Sequence, residues 1–328
     1  MAADLAPSEL RILLAVCDRG GFTAAAGTLG MTQSAVSHAV RGMERKLGTV
    51  LFERLRTGAR PTAAGDRAAA HARRILRLHE AMAAEVRGGG ADHSLTGPLR
   101  IAAFRGAALH LLPAALQRLA ARHPRLQPEV RVVRDIGRGT PGEVVDGRAD
   151  LAIATLGGST PLPDGLLAGE LMTEKYSLVH PSGHPDPRSL PLIDWQENCS
   201  AYTRGWWSAQ DWLPRATITA EDDGTVLALV AQGRGMAVVP ELSLADVPGG
   251  VTVADLGPGC PTRRIGFATT PELARTAAVR ALVRELRAAR AGAAAGIAPA
   301  GAESGARPAT PRPVSSHHLT SSDSRAAS

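Results

Sequence analysis

Three closely spaced helical patterns between residues 7 and 65 constrain the fold most. Pro7 and Ser8 open the first pattern, Gly20 breaks it, and Gly30 ends an alanine-rich second pattern. Thr32 is then placed to cap a third helix, whose apolar side chains recur at helical spacing on one stripe. These side chains are Val36, Val40, Met43 and Leu47. Because the alanines allow close approach, the segment is predicted to form a helix-turn-helix.

The opposite side of the third helix carries polar and basic side chains and has no apolar anchor. Its candidate DNA contacts are Thr32, Gln33, Ser34, Ser37, His38, Arg41 and Arg45. Hydroxyl and amide groups near a helix N-terminus can read base edges in the major groove, and arginines bind phosphates or guanine. The face is therefore predicted to bind double-stranded DNA. The alternative interpretation is a solvated polar face on an ordinary three-helix domain.

The same segment resembles the DNA-binding domain of the LysR-type transcriptional regulators. The residues that carry the resemblance are Phe22, Ala25, Ala26, Leu29, Thr32–Ser37, Glu44, Leu47, Gly48, Leu51, Phe52, Arg54, Thr62 and Gly65. It implies a winged helix-turn-helix domain over residues 1–65. Further DNA contacts are expected at Arg54, Arg56, Arg60 and Thr62. Gly21, Thr57 and Pro61 stand where the family commonly has Ser, Arg and Leu, and Arg56 and Arg60 are expected to supply the charge that Thr57 lacks.

A long helical pattern follows from Thr62 to about Val86, and no Pro or Gly interrupts it after Gly65. Its apolar stripe is formed by Ala68, Ala72, Ile75, Met82 and Val86. Pairing with the same helix of a second chain would bury this stripe, and packing against the helix's own domain is the alternative. The resemblance places the family's linker helix here and implies a homodimer or homotetramer. Residues 62–90 are thus interpreted as a linker and dimerisation segment that ends in the flexible hinge Gly88–Gly90.

Short apolar strands alternate with helical patterns from residue 94 to 290, which is typical of a mainly parallel sheet with helices on both faces. The passages Gly147–Ile153 and Leu229–Pro240 resemble the LysR effector-binding domain. The resemblance implies two α/β lobes, like those of periplasmic solute-binding proteins. Lobe 1 would comprise about 94–170 and 260–290, and lobe 2 about 171–259, with crossovers near Glu170 and Gly259. Residues 291–328 consist mainly of Ala, Gly, Pro, Ser and Thr and are predicted to form a disordered tail.

A small-molecule effector is expected between the two lobes, where strand ends and helix N-termini meet. The candidate effector contacts are Arg105, Gly106, Thr140, Tyr202, Thr203, Asp222 and Thr225. Arg105 follows the first strand of lobe 1, near the place where the family commonly has a pocket Ser or Thr. This departure suggests an anionic effector such as a carboxylate, held by Arg105 with help from Gly106 and helix amides. In the alternative interpretation, Arg105 faces solvent or pairs with an acidic neighbour.

Charge and targeting signals fit such a regulator. The formal net charge is +6, and residues 1–90 hold 13 Lys and Arg against 8 Asp and Glu. The first ten residues include acidic side chains and no apolar run, and no later run is long enough to span a membrane. A cytoplasmic protein with no membrane partner is therefore predicted. The resemblance adds RNA polymerase as a further expected partner.

Other classes of function find little support in the residue pattern. The sequence contains no phosphate loop, nucleophile elbow or zinc-ligand spacing, so no catalytic activity, cofactor or metal is predicted. A solute-binding protein for transport would need an export signal and would lack a DNA-binding module. Cys17, Cys199 and Cys260 are odd in number and far apart, so no disulfide framework is predicted. A redox-responsive regulator of the same family that uses Cys199 and Cys260 is kept as an alternative.

Overall fold

The computed structural model describes residues 4–87, 95–157, 161–197 and 201–296. Its α-helices are α1 (Pro7–Arg19), α2 (Phe22–Leu29), α3 (Gln33–Leu47), α4 (Ala63–Arg87), α5 (Leu112–Arg122), α6 (Gly139–Val145), α7 (Ala201–Ser208), α8 (Asp223–Ala231) and α9 (Ala277–Gly296). Its strands are β1 (Phe52–Leu55), β2 (Gly58–Pro61), β3 (Gly97–Ala103), β4 (Leu126–Val132), β5 (Leu151–Leu156), β6 (Leu167–Pro181), β7 (Leu192–Trp195), β8 (Ala216–Ala220), β9 (Ala237–Pro240), β10 (Val251–Asp255) and β11 (Thr262–Thr269). A π-helical turn, Ala107–Leu111, leads directly into α5. Within these ranges, no helix combines the length and the hydropathy that crossing a membrane requires.

The first three helices form the predicted helix-turn-helix. The Thr32 hydroxyl accepts a hydrogen bond from the backbone N–H of Ala35 at 3.2 Å, which confirms it as the N-cap of α3. Val36, Val40 and Met43 are buried in a core that α1, α2 and α3 share. Leu47, which the sequence pattern adds to the same stripe, is 36% exposed, so the buried face of α3 ends one turn earlier.

A two-stranded wing follows α3. Strands β1 and β2 pair antiparallel from Phe52 opposite Pro61 to Leu55 opposite Gly58, which leaves a two-residue turn at the tip. Gly58 has a φ of +145°, and a Cβ at this position would lie 2.3 Å from the carbonyl oxygen of Gly20. Only glycine therefore allows the wing to pack this closely against the end of α1.

Helix α4 has three faces: one packs in the core of the N-terminal helices, one is exposed to solvent, and one faces lobe 1. Ala69, Ala72 and Leu76 are buried, and Ala72 and Leu76 belong to the core of the N-terminal helices. A second face carries apolar side chains that are 39–78% exposed, namely Ile75, Leu78, Met82 and Val86. Arginines on the third side approach lobe 1. The stripe predicted from the sequence is therefore split between two faces. Ala72 packs in the core of its own domain, whereas Ile75, Met82 and Val86 are exposed. The predicted hinge Gly88–Gly90 lies outside the described residues.

Lobe 1 is built on one end of a seven-stranded sheet with the order β10-β6-β11-β5-β3-β4, in which β9 also pairs with β6. Strands β4, β3 and β5 run parallel, whereas β11 is antiparallel to both β5 and β6. The prediction of a mainly parallel sheet is thus correct for the centre of lobe 1 and wrong for the strands that link the lobes. Helices α5 and α9 cover its main core.

Lobe 2 continues from the same long strand, because β6 pairs with β11 through Lys175 and then with β9 and β10 from Tyr176 onward. The first crossover therefore lies near Lys175, about five residues later than the sequence suggests. Strands β7 and β8 pair parallel and connect to the sheet through a bridge between Leu192 and Met236. The chain returns to lobe 1 between β10 and β11, the interval that contains Gly259.

The last helix, α9, continues to Gly296 and so includes residues 291–296, which the sequence analysis assigns to the tail. The remainder of the predicted tail, 297–328, lies outside the described residues.

Candidate DNA-binding face and effector cleft

The polar side of α3 is exposed over most of its length. Its exposed members are Thr32, Gln33, Ser34, His38, Arg41 and Arg45. Buried Val36, Val40 and Met43 seat the helix from the other side, so this polar side is open to a partner. The Nε atom of Arg41 donates to the carbonyl oxygen of Ser37 at 3.3 Å, which lays the guanidinium along the helix. The arrangement offers hydroxyl, amide, imidazole and guanidinium donors on one convex surface, as major-groove reading requires.

Ser37 does not belong to this exposed face. Its side chain is buried, and its hydroxyl accepts a hydrogen bond from Nη2 of Arg54 at 3.0 Å. The guanidinium of Arg54 also lies 5.0 Å from the ring centre of Phe22. Position 37 falls beside the buried stripe at helical spacing, so the Ser37 side chain supports the contact between α3 and the wing instead of pointing outward.

Basic residues of the wing are accessible to solvent. Arg54, Arg56 and Arg60 are exposed, and Arg56 lies in the two-residue turn between β1 and β2. The hydroxyl of Thr62 donates to the carbonyl oxygen of Val50 at 2.9 Å and accepts from the N–H of Gly65 at 3.0 Å. Thr62 therefore caps α4, and its hydroxyl is already engaged within the protein.

Glu44 is a residue of this region that the sequence analysis does not select for a site. Its Oε1 atom accepts hydrogen bonds from the backbone N–H groups of Leu51 at 2.9 Å and Phe52 at 3.4 Å. One side chain of α3 thus fixes the start of the wing. No spacing rule reveals this, since the bond joins a helix to a loop seven residues later.

Ion pairs join the two lobes in the region where the sequence places the effector cleft. Nη1 of Arg105, which follows β3 in lobe 1, lies 2.7 Å from Oδ1 of Asp223 at the start of α8 in lobe 2. The other oxygen of this carboxylate accepts a hydrogen bond from the hydroxyl of Ser243 at 2.5 Å. The guanidinium lies so close to Gly224 that a Cβ there would be 2.5 Å from Nη2. The alternative interpretation of Arg105, a pair with an acidic neighbour, is the arrangement observed.

A second bridge lies at the neighbouring strand end. Nη2 of Arg134 donates to Oε1 of Gln196 at 2.7 Å, and Nε lies 3.5 Å from Oε1 of Glu197. Burial raises the pKa of Glu197, and the nearby carboxylates of Asp135 and Asp223 raise it further. The cleft therefore carries carboxylates as well as arginines.

An ion pair also marks the place where the lobes join. Nε of Arg263 lies 2.5 Å from Oε1 of Glu174, and these residues stand opposite each other on β11 and β6. The second oxygen of Glu174 accepts a hydrogen bond from the N–H of Leu242 in lobe 2 at 2.6 Å. Both side chains are nearly inaccessible to solvent, so the pair belongs to the structure of the crossover.

The other predicted effector contacts divide into four groups. Asp222 caps α8 by accepting from the N–H of Thr225 at 2.8 Å, and both lie beside the Arg105 bridge. Thr140 is fully buried and donates to the carbonyl oxygen of Ile153 at 2.8 Å, so it adds nothing to the cleft surface. Tyr202 and Thr203 lie in α7. Gly106 lies next to Arg105, and a Cβ there would be 3.6 Å from Cβ of Leu242.

Comparison with known proteins gives the family. Residues 7–66 match the bacterial regulatory helix-turn-helix proteins of the lysR family, and residues 92–291 match the LysR substrate binding domain. The chain belongs to the LysR family. This LysR-family protein is a transcriptional regulator with an effector-binding domain, which confirms the resemblance seen in the sequence.

Individual relatives cover most of this LysR-family chain. The probable HTH-type transcriptional regulator LrrA of Synechococcus elongatus is 33% identical over 253 residues, which are 74% of this chain and 83% of LrrA. A cysteine-to-aspartate variant of full-length OxyR from Pseudomonas aeruginosa has a TM-score of 0.67 at 22% identity, covering 87% of this chain and 95% of that one. Full-length CbnR complexed with its target DNA has a TM-score of 0.62 at 21% identity, covering 87% and 100%. These structures share the fold.

The described part of the chain contains no group of three or more His, Cys, Asp or Glu that could hold a metal ion. Cys17 and Cys260 are half-buried and do not take part in a disulfide. Burial raises the pKa of Cys17 to about 11, which leaves its thiol protonated and unreactive at neutral pH. Cys199 lies outside the described residues.

Proposed function

We propose that this LysR-family regulator binds double-stranded promoter DNA through the exposed side of α3 and the wing. One observation carries the proposal: Gln33, Ser34, His38, Arg41 and Arg45 share one exposed face of a helix whose other face is buried. The charge excess of residues 1–90 favours an anionic partner. CbnR, which shares the fold, was solved with its target DNA. A cytoplasmic location and the absence of catalytic activity belong to the same proposal.

The test uses the DNA upstream of the protein's own gene in mobility-shift and footprinting assays. His38→Ala and Arg41→Ala should each weaken specific binding about tenfold, as expected for loss of a base or phosphate contact. Lys46→Ala is the matched control, since Lys46 is a basic side chain of the same helix that pairs with Glu9 at 2.8 Å. If all three variants keep the affinity and footprint of the wild type, the assigned face is wrong.

Oligomer formation is the second part of the proposal. The exposed apolar face of α4, formed by Ile75, Leu78, Met82 and Val86, would be covered by the same helix of a second copy. A dimer would then present two α3 helices to two half-sites about one helical turn apart, or a multiple of it. Two dimers would give a homotetramer. RNA polymerase is the partner through which such a complex would act on transcription.

We further propose that an effector in the interlobe cleft acts by competing for the Arg105–Asp223 bridge. An anionic effector, such as a carboxylate, would attract the guanidinium of Arg105, whose side chain remains 39% exposed. Asp222 and Thr225 at the start of α8 would lie beside the bound group, together with Gly106 and residues of α7. Release of Asp223 would then change how the lobes meet.

The same cleft also holds carboxylates, which would repel an anion. They belong to Asp135, Glu197, Asp222 and Asp223. The competing outcome is therefore a cationic effector such as an amine. The mobility-shift assay is therefore repeated with a panel of organic acids and a panel of amines. Acids that shift the footprint of wild type, with the effect lost in Arg105→Ala and weakened in Arg105→Lys, would support an anionic effector. A response to amines alone would overturn that charge assignment and leave DNA binding untouched.

The redox alternative stays a separate proposal. Cys260 is half-buried, and Cys199 lies outside the described residues, so no contact between them supports it. A peroxide-dependent change of the footprint that Cys199→Ser or Cys260→Ser abolishes would establish this alternative.

A further inference from the structure

We propose that the turn Gly147–Asp150 is the joint by which lobe 1 docks on helix α4 of the same chain and transmits its movement to the DNA-binding unit. The docking contact stands on its own geometry. Its regulatory meaning rests on the proposed function. The sequence singles out this turn as part of a family-like passage, and neither the DNA-binding face nor the cleft uses it.

Gly147 brings the two backbones into contact. Its φ is +68°, and a Cβ at this position would lie 2.6 Å from Cβ of Arg73, 3.0 Å from the N atom of Arg74 and 3.1 Å from the carbonyl oxygen of Ala70. Any larger residue would push the turn away from α4, because a backbone cannot yield as the end of a flexible side chain can.

Arg73 extends the contact to the DNA-binding unit. While its Cβ lies against Gly147, its Nη2 atom lies 2.6 Å from Oδ1 of Asp18 at the end of α1. Arg73, itself a residue of α4, thus contacts both lobe 1 and α1. Because α1 shares its core with α3, a displacement of the turn reaches the recognition helix through packed elements.

Charged side chains surround this steric contact. Nε of Arg77 lies 3.5 Å from Oδ1 of Asp150, and Nη1 of Arg100 on β3 lies 3.2 Å from Oε2 of Glu80 on α4. Arg77 also approaches Glu80 at 3.4 Å. The joint is therefore held by ion pairs between opposing surfaces, in contrast to the apolar packing inside each unit.

A cavity of about 460 Å³ lies beside the joint, and its lining includes Asp18, Arg73, Arg77 and Arg100. This space allows the turn to move on α4 without first breaking an apolar core. Ion pairs at a partly hydrated surface also weaken with salt. The joint thus combines a fixed steric contact with adjustable electrostatic ones, as expected of a contact that transmits movement.

The test measures hydrogen exchange of residues 70–80 in the full-length protein. Gly147→Ala should raise their exchange rates about tenfold, because the new Cβ conflicts with α4. Gly183→Ala is the matched control: its φ of +73° imposes the same backbone strain, but nothing lies within 4 Å of the added Cβ. Equal exchange rates in the two variants would overturn the docking contact.

A second pair of variants covers the case in which Gly147→Ala does not fold. Arg77→Gln removes one charge from the joint and keeps most of the side-chain length, whereas Arg67→Gln removes an exposed charge from the same helix. Only Arg77→Gln should speed exchange of residues 70–80, and a lack of difference would again contradict the joint.

The footprint on the upstream DNA then tests transmission. Faster exchange together with an altered footprint in Gly147→Ala supports the joint. Faster exchange with the wild-type footprint overturns transmission and leaves docking intact. If the wild type itself gives no footprint, the proposed function fails, while the exchange result still decides the docking contact.

Discussion

Replacing Asp150 with Asn should stabilise the protein at neutral pH, and the gain should shrink as the pH falls. Asp150 is 6% exposed, and burial raises the pKa of its carboxyl to about 6 from an ordinary value of 3.8. The N–H of Arg100, which donates to Oδ2 at 2.7 Å, and the charge of Arg100 offset only part of this effect. The ionised carboxylate therefore costs stability.

The sign and size of this change in stability follow from the pKa of Asp150 in the folded protein and its ordinary pKa in the unfolded chain. The folded-state pKa lies above the unfolded one, so the contribution of Asp150 to stability is complete below about pH 3.8 and is lost as the pH rises through about 6. At about 1.4 kcal/mol for each pKa unit, the ionised group costs about 3 kcal/mol at pH 7.5. Asn keeps an acceptor for the N–H of Arg100, but its NH2 group replaces the oxygen that faces Nε of Arg77 and finds no acceptor there, which removes about 1–2 kcal/mol of the gain. The expected net gain at pH 7.5 is about 1–2 kcal/mol.

Urea unfolding followed by circular dichroism measures this gain at pH 7.5 and pH 5.0. The difference in unfolding free energy between Asp150→Asn and wild type should be about 1.5 kcal/mol smaller at pH 5.0, where the folded wild type is mostly protonated at Asp150. Asp164→Asn, at an exposed carboxylate, should change stability by less than about 0.5 kcal/mol. A difference for Asp150→Asn that is independent of pH, or a variant less stable than wild type at pH 7.5, would refute the argument.

Three further perturbations test the N-terminal unit. Glu44→Ala leaves two wing N–H groups without their acceptor and should lower the unfolding free energy by about 1–3 kcal/mol in chemical denaturation, whereas Glu44→Gln should retain most of it. Thr32→Ala removes the cap of α3 and should cost about 1 kcal/mol, with Thr32→Ser close to wild type; equal losses in both would contradict capping. Met82→Asp should dissociate the oligomer in sedimentation experiments, and Met82→Leu should not; an unchanged sedimentation coefficient would exclude α4 as the interface.

Local patterns predicted much of the N-terminal unit correctly. The cap at Thr32 and the stripe from Val36 to Met43 depend on neighbours within one or two helical turns, so the sequence suffices to place them. Ser37 shows where such reasoning ends. Its hydrogen-bond partner is Arg54, which lies 17 residues away in a different element, and no periodicity predicts this pair.

The candidate effector cleft was harder to predict because its contacts are remote in sequence. Arg105 and Asp223 are 118 residues apart, so the sequence presents each as an isolated charge. Thr140 was expected in the cleft but is buried, because its hydroxyl satisfies the carbonyl oxygen of Ile153 inside the lobe. Short-range patterns are enough to predict secondary structure. Predicting which charges pair across the two lobes requires knowledge of the complete chain topology.

The 15-residue strand β6 limits how the effector-binding domain can respond. One backbone carries ladder hydrogen bonds to β11 on one side of the crossover and to β9 and β10 on the other, so the lobes share a single bent sheet. A wide opening about a loose connection would break these ladders. The accessible response is instead a small torsion about the axis of this strand, which changes the angle between the lobes while every ladder stays intact.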